Sequence, residues 1–533
     1  MELGASGEAV ILGLLVAVTA LLVVAPTLRI PYPILLVLGG LALGVVPGMP
    51  ELELPPDLVL VAVLPPLLYA AAFFTPLADL KANVRPIGLL AVGLVVVTTV
   101  AVAVVTHAVI PDLTWGSAFV LGAVVSPTDP IAATAIARRF GIPRRLVTIV
   151  EGESLINDAT ALVAYRVAVV AVVSGSFSLV DAGLTFVVGV IGGIAVGLAV
   201  GWIVRQVRRR LDNPPTEITI ALLSGYFAYI PAELLHVSAV LAAVTIGVYM
   251  GSHTSELTTA QTRLQGDAVW EITTFLLNAL LFVLIGLQLP VVLDALGDRP
   301  ALELLGYAAL TAATVIVVRF LWVFPATYLP RKLSPSLRER DPSPPWQAPA
   351  FIGWTGMRGA VSLAAALALP LTTDTGEPFP GRDLILFLTF AVIVVTLVFQ
   401  GISLPAVIQV LGLERDPVED AREEALARIR AAETALARLE ELVDEDWVRA
   451  DTAERMRGAY GFRRTRFTAR LEGEDDEPEV EQRSQDFQRL RRELLEAERA
   501  GIEQLRREGR IGEEIAQRVR RDLDLEDSRL DIA

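Results

Sequence analysis

Long apolar runs, each closed by Pro, Gly or a knot of charge, follow one another along the first 412 or so residues. Most have roughly the 17–25 residues that carry a helix across about 30 Å of hydrocarbon. They are rich in Val, Ala, Leu and Gly and lack the period-two alternation of a β-barrel. Hydropathy predicts spans near 9–27, 31–47, 57–74, 87–110, 116–137, 146–172, 180–204, 217–234, 236–251, 268–290, 304–328, 350–370 and 384–411. Breaks fall at Pro, Gly and charge clusters, and only Leu234 to Val237 separates the eighth span from the ninth. Met1 to Ala9 holds two Glu and neither Lys nor Arg, so no signal-peptide n-region is present and the first run is read as a retained helix. The pattern predicts an all-α polytopic membrane protein with about thirteen transmembrane helices.

The loops set the orientation. Arg29, Lys81, Arg85, Arg138, Arg139, Arg144, Arg145, Arg205, Arg208 to Arg210, Arg263, Arg331, Lys332, Arg338 and Arg340 all fall in every second loop. The alternate loops carry only Arg299 and Arg382, beside Glu51, Glu53, Asp57, Asp112, Asp181, Asp294 and Asp298. By the positive-inside rule the N-terminus is outside and the C-terminal region cytoplasmic, an alternation that needs an odd number of spans. Mean hydropathy is +0.55 with 53% hydrophobic residues, too apolar for an ordinary soluble protein. The net charge of −15 gathers disproportionately beyond Leu413, and no basic face suggests nucleic-acid binding. Without Cys there are neither disulfides nor thiolate metal sites.

Few charges remain inside. Burying one without a partner is costly, so each needs a counter-charge, a wet cavity or a proton. Asp129 sits in Val125-Ser-Pro-Thr-Asp-Pro-Ile131, where Pro127 and Pro130 each delete a backbone donor. The fifth span should break around Thr128 and Asp129, leaving free carbonyls and a half-helix N-terminus at membrane depth. Asp129 caps that half-helix, binds an ion, or does both. In the sixth span Glu153 and Asn157, and Ser154 and Asp158, are four apart, so the four make one polar patch. Asp158 lies about twelve residues from the end of its span, roughly 18 Å along the helix and near the midplane. A hydroxyl or amide would serve a purely structural purpose more cheaply than this carboxylate.

Arg358 lies in Gly353-Trp-Thr-Gly-Met-Arg-Gly-Ala360, whose glycines weaken the twelfth span. Its expected partner is Glu153, which leaves Asp158 free for a cation or a proton. Arg166 could snorkel or pair, and Arg319, near the end of its span, is expected to snorkel. If spans 1–6 and 8–13 are inverted repeats, the two interrupted spans fall at equivalent positions, a pointer to a transporter's binding site. Gly39-Gly40, Gly192-Gly193 and the Gly197, Gly201 pair are read as helix-packing positions. His107, His236 and His253 have no metal-ligand spacing, and no Walker A loop or nucleophile elbow supports enzyme chemistry.

From about Glu414 the composition changes. Asp420 to Val443 and Gln482 to Leu525 are rich in Ala, Leu, Glu and Arg with helical spacing, joined through an acidic stretch from Glu472 to Glu481. The chain thus divides into a transmembrane domain, 1–412, and a tail, 413–533. The tail is a small helical domain that regulates or helps dimerise the membrane part, or a solvated, partly disordered segment.

Ser-Pro-Thr-Asp-Pro at 126–130, Gly-Glu-Ser-Leu-Ile-Asn-Asp-Ala at 152–159 and Gly-Met-Arg-Gly-Ala at 356–360 resemble the first family of monovalent cation/proton antiporters. That family includes bacterial sodium/proton antiporters and animal sodium/proton exchangers; Leu64-Pro-Pro66 with Phe74-x-Pro76 is similar as well. The resemblance implies a homodimer with a mobile ion-carrying core whose spans 5 and 12 are unwound and cross. It implies Asp158 as the shared Na⁺/H⁺ carboxylate, Thr128, Asp129 and Ser154 as contributors to the cation site, and Asn157 as a site-shaping residue. It also implies Glu153–Arg358 as a structural ion pair and, since Asn157 stands where electrogenic relatives have Asp, electroneutral exchange. Many members supply a further acid from span 3, where this chain reads Leu67-Leu-Tyr-Ala-Ala-Ala72. The expected function is Na⁺ (with Li⁺) for H⁺ exchange in the inner or plasma membrane, for pH and sodium homeostasis. K⁺/H⁺ exchange or a tail-regulated cation channel are the alternatives. No cofactor is expected beyond the transported ions and lipid, and any ligand of the tail is unknown.

Overall fold

Hydrocarbon offers a backbone amide no partner, so a chain this apolar must satisfy its N–H and C=O groups within each segment. The computed structural model does so with helices; among its described residues the one extended pairing is a bridge between Thr372 and Pro378. Described are residues 16, 18–21, 23, 31–46, 58–176, 178–294, 296, 299–413, 417–472 and 478–532. The first expected span, 9–27, falls largely outside them.

The membrane unit, Met1–Arg415, contains helices at each remaining expected stretch. In order they are α1 (Tyr32–Gly44), α2 (Leu64–Phe74), α3 (Val95–Val109), α4 (Trp115–Val125), α5 (Ile131–Arg139), α6 (Arg144–Ser174), α7 (Leu179–Arg208) and α8 (Pro214–Leu234). Then come α9 (Ala239–Leu257), α10 (Ala260–Leu287), α11 (Ala301–Leu333), α12 (Gln347–Trp354), α13 (Ala360–Leu367), α14 (Arg382–Val395) and α15 (Gly401–Leu411). Among the described residues, 6 stretches are long and apolar enough to cross a membrane: Val84–Val109, Arg144–Ser174, Val180–Arg208, Ala260–Asp294, Ala301–Leu333 and Arg382–Leu411. The chain is a multi-pass membrane protein.

Two predicted breaks are present. Residues 126–130 leave the helix between α4 and α5, where Pro127 and Pro130 withhold backbone donors, and residues 355–359 leave it between α12 and α13. Elsewhere small residues let helices meet. A Cβ added at Gly193 would stand 2.5 Å from the Ser238 carbonyl oxygen, and one at Gly197 would stand 2.6 Å from that of Ala242, so α7 and α9 touch along their backbones. Buried apolar side chains form two cores. One joins α1, α3 to α5 and α10 to α15 around Leu121, Phe282, Phe351 and Leu388; the other joins α2, α8 and α9 around Tyr69, Ala228 and Ile246. α6 contributes to both, with Ile149 in the first and Leu155 in the second.

The tail unit, Asp416–Ala533, is helical as well: α16 (Pro417–Leu442), α17 (Ala450–Glu472), α18 (Pro478–Arg507) and α19 (Glu513–Ile532). α16 covers the first helical stretch read from apolar spacing, and α18 with α19 covers the second, where that spacing placed one helix rather than two. α17 was not anticipated, because its Arg-rich sequence shows no clean apolar period. It is held by a forked Arg457–Glu440 pair at 2.8 and 3.1 Å and by Arg428 stacked 5.0 Å over the Phe467 ring. Of the acidic stretch at 472–481, residues 473–477 lie outside the described ones.

At the helix ends that carry most of the arginines, the loop between α11 and α12 is tied down by Asp341. Its carboxylate accepts from Arg331 at 2.7 Å, Arg145 at 2.9 Å and Arg85 at 3.0 Å. Burial on its own would raise this carboxyl, but the hydrogen bond from Arg145 and the charges of Arg145, Arg331 and Arg85 outweigh it and hold it below the ordinary carboxylate range. A depressed acid contributes stability that is present above its unfolded-state value and lost as pH falls through its folded-state value. Asp341→Asn should therefore lower thermal stability in detergent by about 2 kcal/mol, as expected for hydrogen bonds to a charged group. The deficit should be flat between pH 8 and pH 5 and shrink only in stronger acid; a deficit that shrinks between pH 7 and pH 6 contradicts the assignment.

Candidate functional site

The two breaks meet. The Asp129 backbone N–H donates to the Met357 carbonyl oxygen at 2.8 Å, so the unwound segments cross at the backbone level. Gly359 makes this approach possible: a Cβ there would overlap the Asp129 carboxylate. Asp129 Oδ1 accepts from Ile131 N–H at 2.9 Å and caps α5, placing its charge at a half-helix N-terminus, where the dipole favours an anion.

Arg358 takes the complementary position. Its Nε donates to the Val125 carbonyl oxygen at 2.8 Å and its Nη1 to that of Gly356 at 2.6 Å, while its backbone N–H donates to Thr396 Oγ1 at 3.0 Å. A fully buried guanidinium thus satisfies carbonyls orphaned where α4 ends and in the α12–α13 break. The expected Glu153–Arg358 pair is not formed. Glu153 instead holds Arg319 of α11 in a forked ion pair, Nη1 to Oε1 at 2.5 Å and Nη2 to Oε2 at 2.8 Å. Arg319 does not snorkel. α11 runs on to Leu333, some fourteen residues past Arg319, so this side chain lies about 21 Å inside the helix end and must find a buried partner. Its Nε donates to the Ile352 carbonyl oxygen at 2.9 Å, which anchors α12 too.

The same carboxylate organises the fifth-span break. Thr128 Oγ1 donates to Glu153 Oε1 at 3.1 Å and accepts from Asn157 Nδ2 at 2.7 Å. Arg319, Glu153, Thr128 and Asn157 form one buried chain of polar contacts. Asp158 is left out of it: among the described residues no hydrogen bond or ion pair holds its carboxylate, although it is only 6% exposed. Arg166, two turns further along α6, pairs with Glu233 of α8 at 2.6 Å and leaves Asp158 alone.

Asp158 opens onto a cavity of about 460 Å³ that also meets Thr128, Asp129, Ser154 and Gly359. The cavity runs to Arg138, Glu151, Asp267 and Glu271, and no residue of α6 beyond Asp158 lines it. The wall from α2 is apolar, with Leu67, Leu68, Ala70 and Ala71 where relatives were expected to place an acid. Among the described residues no group of three or more His, Cys, Asp or Glu is arranged to hold a resident metal.

Residues 14–410 match the family model described as "Sodium/hydrogen exchanger, transmembrane". The chain belongs to the sodium/hydrogen exchanger family. An exchanger of Mycobacterium bovis, named as an uncharacterized Na(+)/H(+) exchanger, is 36% identical over 531 residues, covering 98% of this chain and 96% of that protein. A Bacillus pumilus protein named a sodium, potassium, lithium and rubidium/H(+) antiporter is 31% identical over 386 residues, 70% of this chain and 57% of that protein. Among solved structures, the sodium proton antiporter MjNhaP1 of Methanocaldococcus jannaschii superimposes with a TM-score of 0.60 at 18% identity, over 77% of this chain and 100% of that one. The fold is that of these antiporters, and the exchanger family is one of transporters rather than enzymes.

Of the residues that line this cavity the sequence singled out Thr128, Asp129, Glu151, Ser154, Asp158 and Glu271, but it missed two features. Arg319 was misplaced because the end of its span was set too early. Asn278, whose buried amide also faces the cavity, was passed over, although a lone amide in Leu276-Leu-Asn-Ala-Leu280 was a visible signal. The pairing of Glu153 is testable. Glu153→Met or Arg319→Met should each destabilise the protein by about 3–5 kcal/mol, because each strands a buried charge. The double substitution should cost clearly less than either alone, as read by thermal melting in detergent; additive losses would show that the two are not partners.

Proposed function

We propose that the chain is a Na⁺/H⁺ antiporter that exchanges one cation for one proton by alternating access, with Asp158 as the shared carboxylate. The observation that carries this reading is the isolation of Asp158: among the described residues it is the buried carboxylate on the cavity that has neither a hydrogen bond nor an ion pair, while Asp129 caps α5 and Glu151 pairs with Arg138. A carboxylate that must hold either H⁺ or a cation couples the two fluxes, because neither can cross while the other occupies it. Ser154, one turn from Asp158, and the backbone of the fifth-span break supply further oxygens to the cation. Thr128 contributes through its carbonyl, since its hydroxyl is engaged by Glu153 and Asn157. Asp129 lends its charge to the site while capping α5, and Asn157 shapes the site without adding charge, which supports electroneutral transport. Arg358 stabilises the crossing and takes no part in coupling.

The distribution of arginines supports a cytoplasmic C-terminus, and with that orientation the cavity opens inward. A homodimer in the cell membrane, serving pH and sodium homeostasis with the tail as a regulatory or dimerising unit, is the assembly this reading favours. K⁺/H⁺ exchange is the second reading, favoured by the broad cation range in the name of the Bacillus pumilus relative.

In proteoliposomes with an internal pH dye, a pH gradient should drive Na⁺ uptake by the wild type, and Asp158→Asn should abolish it. Full flux in Asp158→Asn sinks the mechanism. Because H⁺ and Na⁺ compete, the apparent KM for Na⁺ should rise as pH falls; a KM independent of pH contradicts the shared carboxylate. The same assay in KCl and LiCl separates the two readings.

A further inference from the structure

Asp158 sits on a ladder of polar side chains along α6: Glu151, Ser154 and Asp158 all line the cavity, three and four residues apart. A second ladder faces the same cavity from α10. Asp267, Glu271, Thr274 and Asn278 recur every three or four residues, so they share one face of the helix, and all four line the cavity. Their exposure falls in order: Asp267 and Glu271 are exposed, Thr274 is half-buried, and Asn278 is 8% exposed. Both helices start at the arginine-rich end of the molecule, so the two ladders descend into the membrane unit in the same sense.

Asn278 is the anomaly on this face. Its Oδ1 is buried and has no hydrogen-bond partner, an expensive arrangement for an amide whose only purpose is packing. A structural Asn in a helix normally spends that oxygen on a neighbouring donor. Here Leu276, Leu277, Ala279 and Leu280 surround it in sequence and offer none. Alkali cations are hard ions that take oxygen ligands, and carbonyl-type oxygens replace hydration water when such an ion is stripped. A second observation fits: the α2 wall of the cavity is apolar through Leu67, Leu68 and Ala71, so it brings no oxygen to the ion from that side.

We propose that Asn278 supplies its side-chain amide oxygen to the transported cation in the cavity it shares with Asp158, and that the α10 face carrying Asp267, Glu271 and Thr274 is the cation's route to it. The inference rests on the antiport reading and adds a residue that sets cation preference. Asp267 and Glu271 at the mouth act through their field, raising the local cation concentration. Thr274 offers a hydroxyl one turn above Asn278. The neutral Asn278 oxygen adds no charge, so the one-for-one exchange is kept.

The test is cation-driven proton flux in proteoliposomes of the full chain, together with the rise in melting temperature that NaCl produces in detergent. Asn278→Leu, of similar size but without the oxygen, should raise the KM for Na⁺ about tenfold or more and narrow the preference among Na⁺, Li⁺ and K⁺. It should also diminish the Na⁺-dependent rise in melting temperature, while Vmax at saturating Na⁺ is largely kept. Asn278→Asp should bring KM back to the wild-type value or below. Asp267→Asn with Glu271→Gln should raise KM at low ionic strength and match the wild type once N-methylglucamine chloride screens the mouth. Wild-type KM, selectivity and Na⁺-dependent stabilisation in Asn278→Leu overturn the proposal; should that variant not fold, a raised KM in Asn278→Asp does so. If the wild type itself shows no counter-flux, the antiport reading falls instead, and the Na⁺-dependent melting shift still reports on Asn278.

Discussion

A charge within hydrocarbon must be answered, and among the described residues of this membrane unit the buried charges are answered one by one until the Asp158 carboxylate remains. The forked pair between Arg319 and Glu153 is the contact on which the rest depends. It spans α11 and α6, holds α12 through the Ile352 carbonyl, and reaches the fifth-span break through Thr128. Without it Glu153 would be a second unpaired buried acid, five residues from Asp158 on the same helix. With it, the polar patch of α6 divides into a structural half, Glu153 and Asn157, and a free half, Ser154 and Asp158.

The crossing of the broken helices obeys the same rule in terms of partial charges. Each half-helix ends at depth with donors or acceptors that lipid cannot satisfy. Asp129 stands at the N-terminal end of α5, and Arg358 stands where α4 ends, bonded to the Val125 carbonyl. Opposite charges are thus matched to opposite dipole ends. The backbone contact from Asp129 to Met357 then fixes the two breaks together, and it needs a residue at 359 without a side chain. The cavity reaches this crossing through Thr128, Asp129 and Gly359, while the Arg166–Glu233 pair joins α6 to α8 beyond Asp158 and does not line it.

Much of this was legible in the residues because hydrocarbon makes mistakes expensive. Prolines flanking Asp129 forecast a break, the glycines near Arg358 forecast another, and Asp158 stood out as an acid among aliphatic residues. Partnerships were harder to read. Glu153 was assigned to Arg358 and Arg319 to the helix end, because how far α11 continues beyond Arg319 is not revealed by local composition when Pro325 and Pro330 lie within the helix. The Arg358 guanidinium was assigned to a side chain, whereas backbone carbonyls exposed by the breaks took it, a kind of acceptor that sequence patterns do not display. In the tail, α17 escaped notice for the converse reason: its buried apolar residues, Ala453 and Phe467, stand far apart among arginines and make no apolar stripe. Asn278 was quiet because one amide in an apolar run is ordinarily satisfied by its neighbours.

The central claim is that a proton and a cation compete for Asp158. Proton release on cation binding tests it most directly. Purified protein in weakly buffered detergent solution, at a pH where transport is active, is mixed with NaCl and the released protons are counted with a pH dye. The account predicts up to one proton released per Na⁺ bound by the wild type and none by Asp158→Asn. Na⁺ binding without proton release, or release that persists in Asp158→Asn, would contradict it.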